Sequence, residues 1–522
     1  MVQENGLDKD GQVDGPRLPF GDRVSLFSRE PSSPDDWALI DNGEVWSWSR
    51  AAGAIARTAT ALRSSTISPH QRIAVVGENT ASTLIFYAGA LLAGFGTILL
   101  GQHLTAPEIA HILKDGDAGA IWTDQDHVSL ARSAIEGLPA MRVLGDGEAT
   151  WGETVDRASA VAPTMDLPII SDLGYTSGTT GRPKGVEVPR EPVVTVHDRL
   201  MLASRHHSIG LGPHLVAGPL YHGGPHAAVG LLLMGTPVVL IGRFDALRAL
   251  EAIDRLEIAT SVMVPTHFSR LLQLEEKVRE RYDTSSLRLV VHTGSPCPLS
   301  VKRAMIKWFG PILRETYGGI ESGPIASIST EEWRAHPGST GRSVPPYQVR
   351  ILRSDGTPCV VGEDGLIYAE DSTGQGISYR HDQEKSDAAH QAPGLFTLGD
   401  FGHVDEDGYL YLTTRRDDLV LSGGVNIYPA EAEAVILEHP NVEEVACFGV
   451  PDDDLGECLA GVVVVADESV TVTDILSFCR PRLARNKIPR QLHIVSEIPV
   501  SPMGKVDRRA LKAGYGRAHA QP

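Results

Sequence analysis

No C-x-x-C pair occurs anywhere in this chain. Its five cysteines, Cys297, Cys359, Cys447, Cys458 and Cys479, are too few and too scattered for a zinc cage or a disulfide scaffold. Free thiols in a reducing, cytoplasmic compartment are the expectation. A basic surplus is also lacking: 47 Lys and Arg face 66 Asp and Glu, for a formal charge of −19. That balance argues against a nucleic-acid or anionic-membrane binder. Internal repeats and low-complexity tracts are absent. The first 22 residues are polar, lack the apolar core of a signal peptide and read as a loose leader. Long apolar runs are scarce. The one that imitates a membrane span, "LIFYAGALLAGFGTILLG" (84–101), is split by Gly94 and Gly96 into a helix-like and a strand-like piece. Each is shorter than the roughly 20 residues a bilayer requires, so a buried helix feeding a buried strand is predicted.

What is present is an ordinary globular composition, 42% hydrophobic and 22% charged, in a chain of 522 residues. That length exceeds one core and predicts two or more domains. Continuous apolar runs at 72–77, 118–123, 236–242 and 287–294 alternate with helix-length segments such as 245–257 and 267–282. This pattern predicts parallel sheets covered by helices on both faces. From about 347 the texture changes to short alternating strands with Asp-Gly turns, a small antiparallel β subdomain. After Arg415 strands and helices alternate again, enough for a small α+β domain.

One segment cannot fill a core. "YTSGTTGRPKG" (175–185) is mostly hydroxyls and glycines, followed by Arg182, Pro183 and Lys184. Glycines let backbone N–H groups converge, hydroxyls add donors, and the two cations add charge; together they form a nest for phosphate oxygens. A Walker A loop is excluded, because Pro183 precedes Lys184 and Gly185 follows it.

This loop resembles the signature phosphate loop of the acyl-adenylate-forming enzymes, and further motifs follow in that family's order across nearly the whole chain. Thr176, Ser177, Gly178, Thr179, Thr180, Gly181, Arg182 and Lys184 are then the implied phosphate contacts. "PLYHGGP" (219–225) resembles the segment gating the acyl pocket, with His222 as gate and Gly223 beside it. The rival reading is a metal pair, His222 and His226; Gly223, Gly224 and Pro225 are expected to break the helix it requires. Nearby His206, His207 and His214 read as surface or loop residues. "HTGSPCP" and "ETYGGIES" resemble the adenine and α-phosphate segments. They imply nucleotide contacts from Gly294, Ser295, Pro296, Glu315, Thr316, Tyr317 and Gly318, acyl-pocket contacts from Gly294, Gly318 and Gly319, and Mg²⁺ on Glu321. Ile320 stands where the family usually has a phosphate-binding Thr. Asp400 and Arg415 are implied at the ribose, Asp417 as a hinge, Gly423 and Gly424 along the acceptor tunnel, and Lys505 as the lysine delivered to the reacting carboxylate.

After the loose leader at 1–22, the resemblance implies an α/β N-terminal AMP-binding domain at 23–416, with two mainly parallel sheets and a β subdomain at 347–414, and a small mobile α+β C-terminal lid at 417–522. It implies that a carboxylate attacks the α-phosphorus of ATP with Mg²⁺, pyrophosphate leaves, and the acyl group passes from the adenylate to an acceptor. CoA is the family's commonest acceptor. Many CoA ligases carry an aromatic residue where this chain has Asn486 and Trp where it has Leu455, although Arg485, Lys487 and Arg490 offer cations for the CoA phosphates. A free amine is the alternative acceptor. An inactive adenylate-binding regulator is the third reading, opposed by the presence of Glu321, Asp400 and Lys505.

Overall fold

The computed structural model describes residues 26, 36–102, 104–138, 140–145, 149–161, 164–176, 184–188, 194–204, 206–415, 420–422, 425–427, 429–452, 456–467, 469–483, 487–500 and 506–515. Two large sheets organise the N-terminal part. The first has nine strands, in the order Arg342–Ser343, Gly323–Ser329, Leu313–Gly319, Leu289–His292, Thr260–Met263, His214–Val216, Val238–Leu240, Trp37–Asp41 and Glu44–Ser47. Those from Leu313–Gly319 through Trp37–Asp41 run parallel, and the edges are antiparallel. The second has six, in the order Arg142–Gly145, Ala118–Thr123, Arg72–Val76, Thr97–Leu99, Asp172–Thr176 and Lys184–Val188, parallel except for the last.

Strand alternation assigns each face. Ile73 and Val75 enter a core shared with Leu39, Val216, Val238 and Leu240 of the nine-stranded sheet. Ala74 and Val76 point the other way, into a separate core beneath helix Ala106–Asp115. Leu215, Val239 and Ile40 face a third core with helices Ala246–Arg255, Pro265–Gln273 and Leu299–Phe309. The layers therefore run helices, sheet, helices, sheet, helices, and central strands such as Val238–Leu240 are covered on both faces, as their apolar sequence requires.

Helix Ala81–Leu92 lies in the middle layer, against helices Trp48–Arg63 and Gly223–Leu233. All its residues but Ser82 are buried, so it is apolar all round instead of striped. Thr80 caps it by accepting from the Thr83 N–H. Gly94 then takes φ +86°, and a Cβ there would stand 2.5 Å from the Pro168 carbonyl. The membrane-like run is a core helix and the strand Thr97–Leu99, as predicted, and no helix among the described residues is long and apolar enough to cross a membrane.

The expected antiparallel subdomain is formed by Tyr347–Leu352, Gly365–Asp371, His390–Ala392, Leu395–Val404 and Leu410–Arg415. The C-terminal part pairs Val442–Asp452 with Gly456–Val465, which Val420–Ser422 and Gln491–Ile494 flank. Alternation along Val442–Asp452 sends Cys447 into one core and Ala446, Phe448 and Val450 into another. The leader and the hinge at Asp417 lie outside the described residues.

Three sequence expectations are corrected. The segment 267–282 is two helices, Pro265–Gln273 and Glu276–Arg279, because Leu274 turns to an extended conformation. His214 is a core residue in strand His214–Val216, hydrogen-bonded to Thr260 Oγ1 at 2.9 Å. His222 and His226 do share a helical turn: helix Gly223–Leu233 begins directly after His222, and the His226 N–H donates to the His222 carbonyl at 2.8 Å. Pro225 falls in the first turn, where its missing N–H removes no intrahelical bond.

Candidate active site

Open parallel sheets bind ligands beyond the carboxyl ends of their strands. In the nine-stranded sheet that edge carries the implied residues. His292 ends one strand and leads into Gly294, Ser295 and Pro296, all exposed. Gly294 turns the chain at φ +91° with nothing closer to its Cβ position than Val264 Cγ1 at 3.6 Å, so the glycine serves the turn. The neighbouring strand Leu313–Gly319 brings Thr316, Tyr317, Gly318 and Gly319 alongside, and Thr293 Oγ1 ties the two by donating to the Thr316 carbonyl at 3.0 Å. At Gly318 a Cβ would lie 2.0 Å from the Gly323 carbonyl oxygen, so the backbone itself occupies that space.

Tyr317 reaches out of this edge to the β subdomain. Its hydroxyl donates to Asp400 Oδ2 at 2.9 Å, and Asp400, 6% exposed, sits opposite Arg415 in the strand register. Adenine and ribose candidates are thereby brought together across two sheets. Glu321 lies at the rim, half-buried, with Oε1 3.5 Å from the Tyr379 hydroxyl and Oε2 packed over Gly319. A partly exposed carboxylate fits Mg²⁺, which takes one or two carboxylates and leaves its other positions to water and phosphate.

Glu315 is placed differently from expectation. Its side chain turns inward, 7% exposed, onto Lys302 Nζ at 2.5 Å, with His292 Nε2 at 3.6 Å. Burial raises the Glu315 carboxyl above its ordinary value while Lys302 opposes it. The same burial holds His292 well below its ordinary value and pushes the Cys297 thiol up to about 12. Strand alternation explains the placement: Glu315 occupies an inward position and Thr316 the opposite face.

His222 lies on the same edge, where its ring sits 4.4 Å from that of Tyr221. Gly223 beside it has open space around its Cβ position, whereas Gly224 packs on Val262, the Cβ position 2.8 Å from Cγ1. His226 turns inside, edge-on to Tyr87, and burial lowers its pKa. No group of three metal-ligating side chains occurs among the described residues.

Residues 177–183 of the phosphate loop lie outside the described residues, but both flanks are described. Thr176 pairs with Lys184 and Tyr175 with Gly185, so the loop joins the two strands of an antiparallel hairpin. The approach strand is "DLGYT" (Asp172–Thr176); upstream of it Pro168 makes only an isolated bridge to Thr195. Asp417, Gly423, Gly424 and Lys505 also fall outside. After Lys505, Val506 bridges Val500, and Arg508 clamps Glu433 at 2.6 Å and the Cys447 carbonyl at 3.1 Å. Two of the three cations offered to CoA are engaged: Lys487 with Glu431, and Arg490 with Asp452 at 3.2 Å.

Sequence reading missed Lys302 and Tyr379. Lys302 carries a legible signal, since it occupies the buried stripe 302, 305, 306, 309 of its helix. Tyr379 carries none; only the folded subdomain brings it to Glu321.

The fold and this edge define a two-part nucleotide-using α/β enzyme. Residues 27–374 match the AMP-binding enzyme family and residues 431–505 its C-terminal domain, and the chain belongs to that family. It is 30% identical to a 2-succinylbenzoate–CoA ligase of Bacillus licheniformis over 93% of this chain and 98% of that one. Among solved structures it resembles the O-succinylbenzoate coenzyme A synthetase MenE of Bacillus subtilis in complex with ATP and magnesium, at 27% identity and a TM-score of 0.78, covering 94% of this chain and 99% of that one. It also resembles the amide bond synthetase McbA of Marinactinospora thermotolerans, at 27% identity and a TM-score of 0.80, over 92% and 97% of the two chains.

Proposed function

We propose that this protein is an ATP-dependent carboxylic acid–CoA ligase that works through an acyl-adenylate. The observation that carries the reading is the convergence of Gly294–Pro296, the Tyr317–Asp400 pair and Glu321 on one carboxyl edge of parallel strands. A carboxylate is already ionised at neutral pH, so the first step needs no general base. It needs two anions to meet, and therefore charge neutralisation. Mg²⁺, when bound, supplies Lewis acidity at the phosphates. Glu321 is the residue to hold it. Tyr317 and Asp400 orient the nucleoside, and residues 176–184, with Arg182 and Lys184, take the phosphate oxygens. Lys505 neutralises charge where the carboxylate attacks. Ile320 brings no hydroxyl to the phosphates. Rotation of residues 417–522 about Asp417 then withdraws Lys505 and opens the path at Gly423 and Gly424 to the thiol of CoA. His222 gates an acyl pocket with Gly223, Gly294, Gly318 and Gly319.

A free amine is the second reading. Two observations favour it: Asn486 and Leu455 offer no ring to a CoA base, and Lys487 and Arg490 are already paired. A screen of carboxylic acids for ATP consumption, with CoA or amines added and products followed by mass, tests both. Absence of enzyme-dependent adenylate, thioester and amide with every acid would favour the inactive regulator.

A further inference from the structure

Tyr379 and Arg380 are neighbours in sequence that reach two separate parts of the candidate active site. Tyr379 is itself held from three sides. Its N–H donates to Ser386 Oγ at 2.9 Å, Lys385 Nζ lies 3.5 Å from its ring centroid, and its ring is buried in the subdomain core. From there its hydroxyl approaches Glu321 Oε1 at 3.5 Å. Arg380 points the other way, into the six-stranded sheet. Its N–H donates to the Gly185 carbonyl at 2.9 Å, its Nε donates to the Asp115 carbonyl at 2.8 Å, and its guanidinium pairs with the Asp117 carboxylate.

Both flanks of the phosphate-loop hairpin end in this cluster. Gly185, on the exit strand, accepts the main-chain N–H of Arg380, and the guanidinium anchors that point of the chain to Asp115 and Asp117. Tyr175, its register partner on the entry strand, donates its hydroxyl to Asp115 Oδ2 at 2.7 Å. Gly185 fits only as a small residue here, since a Cβ would lie 3.1 Å from the Tyr175 ring. A continuous line of contacts therefore runs from Glu321 through Tyr379 and Arg380 to the two strands that carry residues 177–183.

We propose that Tyr379–Arg380 is a positioning strap that fixes the phosphate-loop hairpin relative to the metal-binding carboxylate, and so sets the affinity for the magnesium complex of ATP. It rests on the function proposed above. The two elements it joins belong to different sheets, and a triphosphate held by one must meet a cation held by the other. Small errors in such registry are costly, because in-line attack tolerates only about 1 Å of misplacement. Neither residue touches the reacting atoms; each acts through another group.

The test uses the full chain and reads binding as well as turnover. MgATP affinity is measured by calorimetry without acid, and ATP–pyrophosphate exchange gives separate KM values for ATP and acid. Arg380→Ala keeps the main-chain bond to Gly185 but loses the guanidinium bonds to Asp115 and Asp117 that anchor it, and is expected to weaken MgATP binding about tenfold. Tyr379→Phe keeps the ring and its lysine and should weaken it about threefold, with a higher Mg²⁺ requirement. The acid KM should stay within about twofold in both, whereas a merely structural loss would move both substrates together. Arg380→Lys should recover only part of the affinity, because a point charge cannot reach Asp117 and the Asp115 carbonyl at once. Should Arg380→Ala fail to fold, Asp117→Asn at an exposed position loosens the same guanidinium and should raise the MgATP Kd about threefold. Folded variants that bind MgATP as tightly as wild type overturn the strap alone. A wild type that binds no MgATP overturns the proposed function and the strap with it.

Discussion

The hydroxyl of Tyr317 donates to the carboxylate of Asp400 at 2.9 Å, joining residues 83 apart in sequence and belonging to different sheets. Each of the two is buried. Tyr317→Phe removes one charge-assisted hydrogen bond and keeps the ring. Loss of such a bond costs about 1.5–3 kcal/mol. Part should appear as a lower unfolding midpoint in urea, and part as a KM for ATP raised about tenfold. A KM for ATP equal to wild type would separate Tyr317 from the nucleotide.

Lys302 and Glu315 give a sharper stability test. Lys302 is 1% exposed and bonded to Glu315 at 2.5 Å. Removing one partner of a buried pair costs about 3–5 kcal/mol, whereas replacing both by apolar groups is often close to neutral. Lys302→Met should therefore destabilise strongly, and Lys302→Met with Glu315→Leu should recover most of the loss in urea unfolding. The pH dependence has a definite sign. Burial raises the folded Glu315 pKa above 4.5, and loss of Lys302 raises it further. Its penalty is absent below the unfolded pKa and grows as pH rises through the raised folded value. Lys302→Met should thus approach wild-type stability near pH 4 and fall away from it toward neutral pH; a constant gap would show that lost packing, and not charge, is responsible.

The layers of the fold are legible in the sequence because doubly covered strands are largely apolar, as at 73–76 and 118–122. The motif order across the chain is legible for a different reason: phosphate and ribose chemistry restricts residue type locally. What escapes is whatever depends on side chains meeting from distant segments. Glu315 reads as part of a nucleotide motif, yet its strand position turns it onto Lys302. Pro225 reads as a helix breaker until its place in the first turn is known. Tyr379 and Arg380 sit outside every recognisable motif, and only tertiary structure brings them to Glu321 and Gly185.

Lys505→Ala separates the two half-reactions. If Lys505 acts only in the adenylating pose, the variant should lose most pyrophosphate release from acid and MgATP. Thioester formation from supplied acyl-adenylate should remain within about threefold of wild type, since no interaction made in that second step is removed. Rapid-mix assays of each step read this directly. Equal loss in both would contradict a lysine that works in one domain orientation.

Substitutions in the C-terminal part test the acceptor. Lys487 is paired with Glu431 and Arg490 with Asp452, all four side chains reaching solvent in part. Exposed pairs of this kind are worth about 0–1 kcal/mol, so a phosphate could displace either carboxylate. If CoA docks there, Glu431→Gln and Asp452→Asn each free a cation for it. Each should lower the KM for CoA about two- to threefold at low ionic strength, consistent with a contribution below 1 kcal/mol. Salt should erase the gain, since the Debye length shrinks to about 8 Å at physiological ionic strength. The KM values for ATP and acid should not move, because neither substitution touches the carboxyl edge of the nine-stranded sheet. If the acceptor is an amine, neither substitution changes turnover with it. Thioester is then not formed by the enzyme at any CoA concentration tested, while amide forms faster with enzyme than from released adenylate alone. Product mass with CoA and with amine, measured on wild type and on both variants, distinguishes these outcomes.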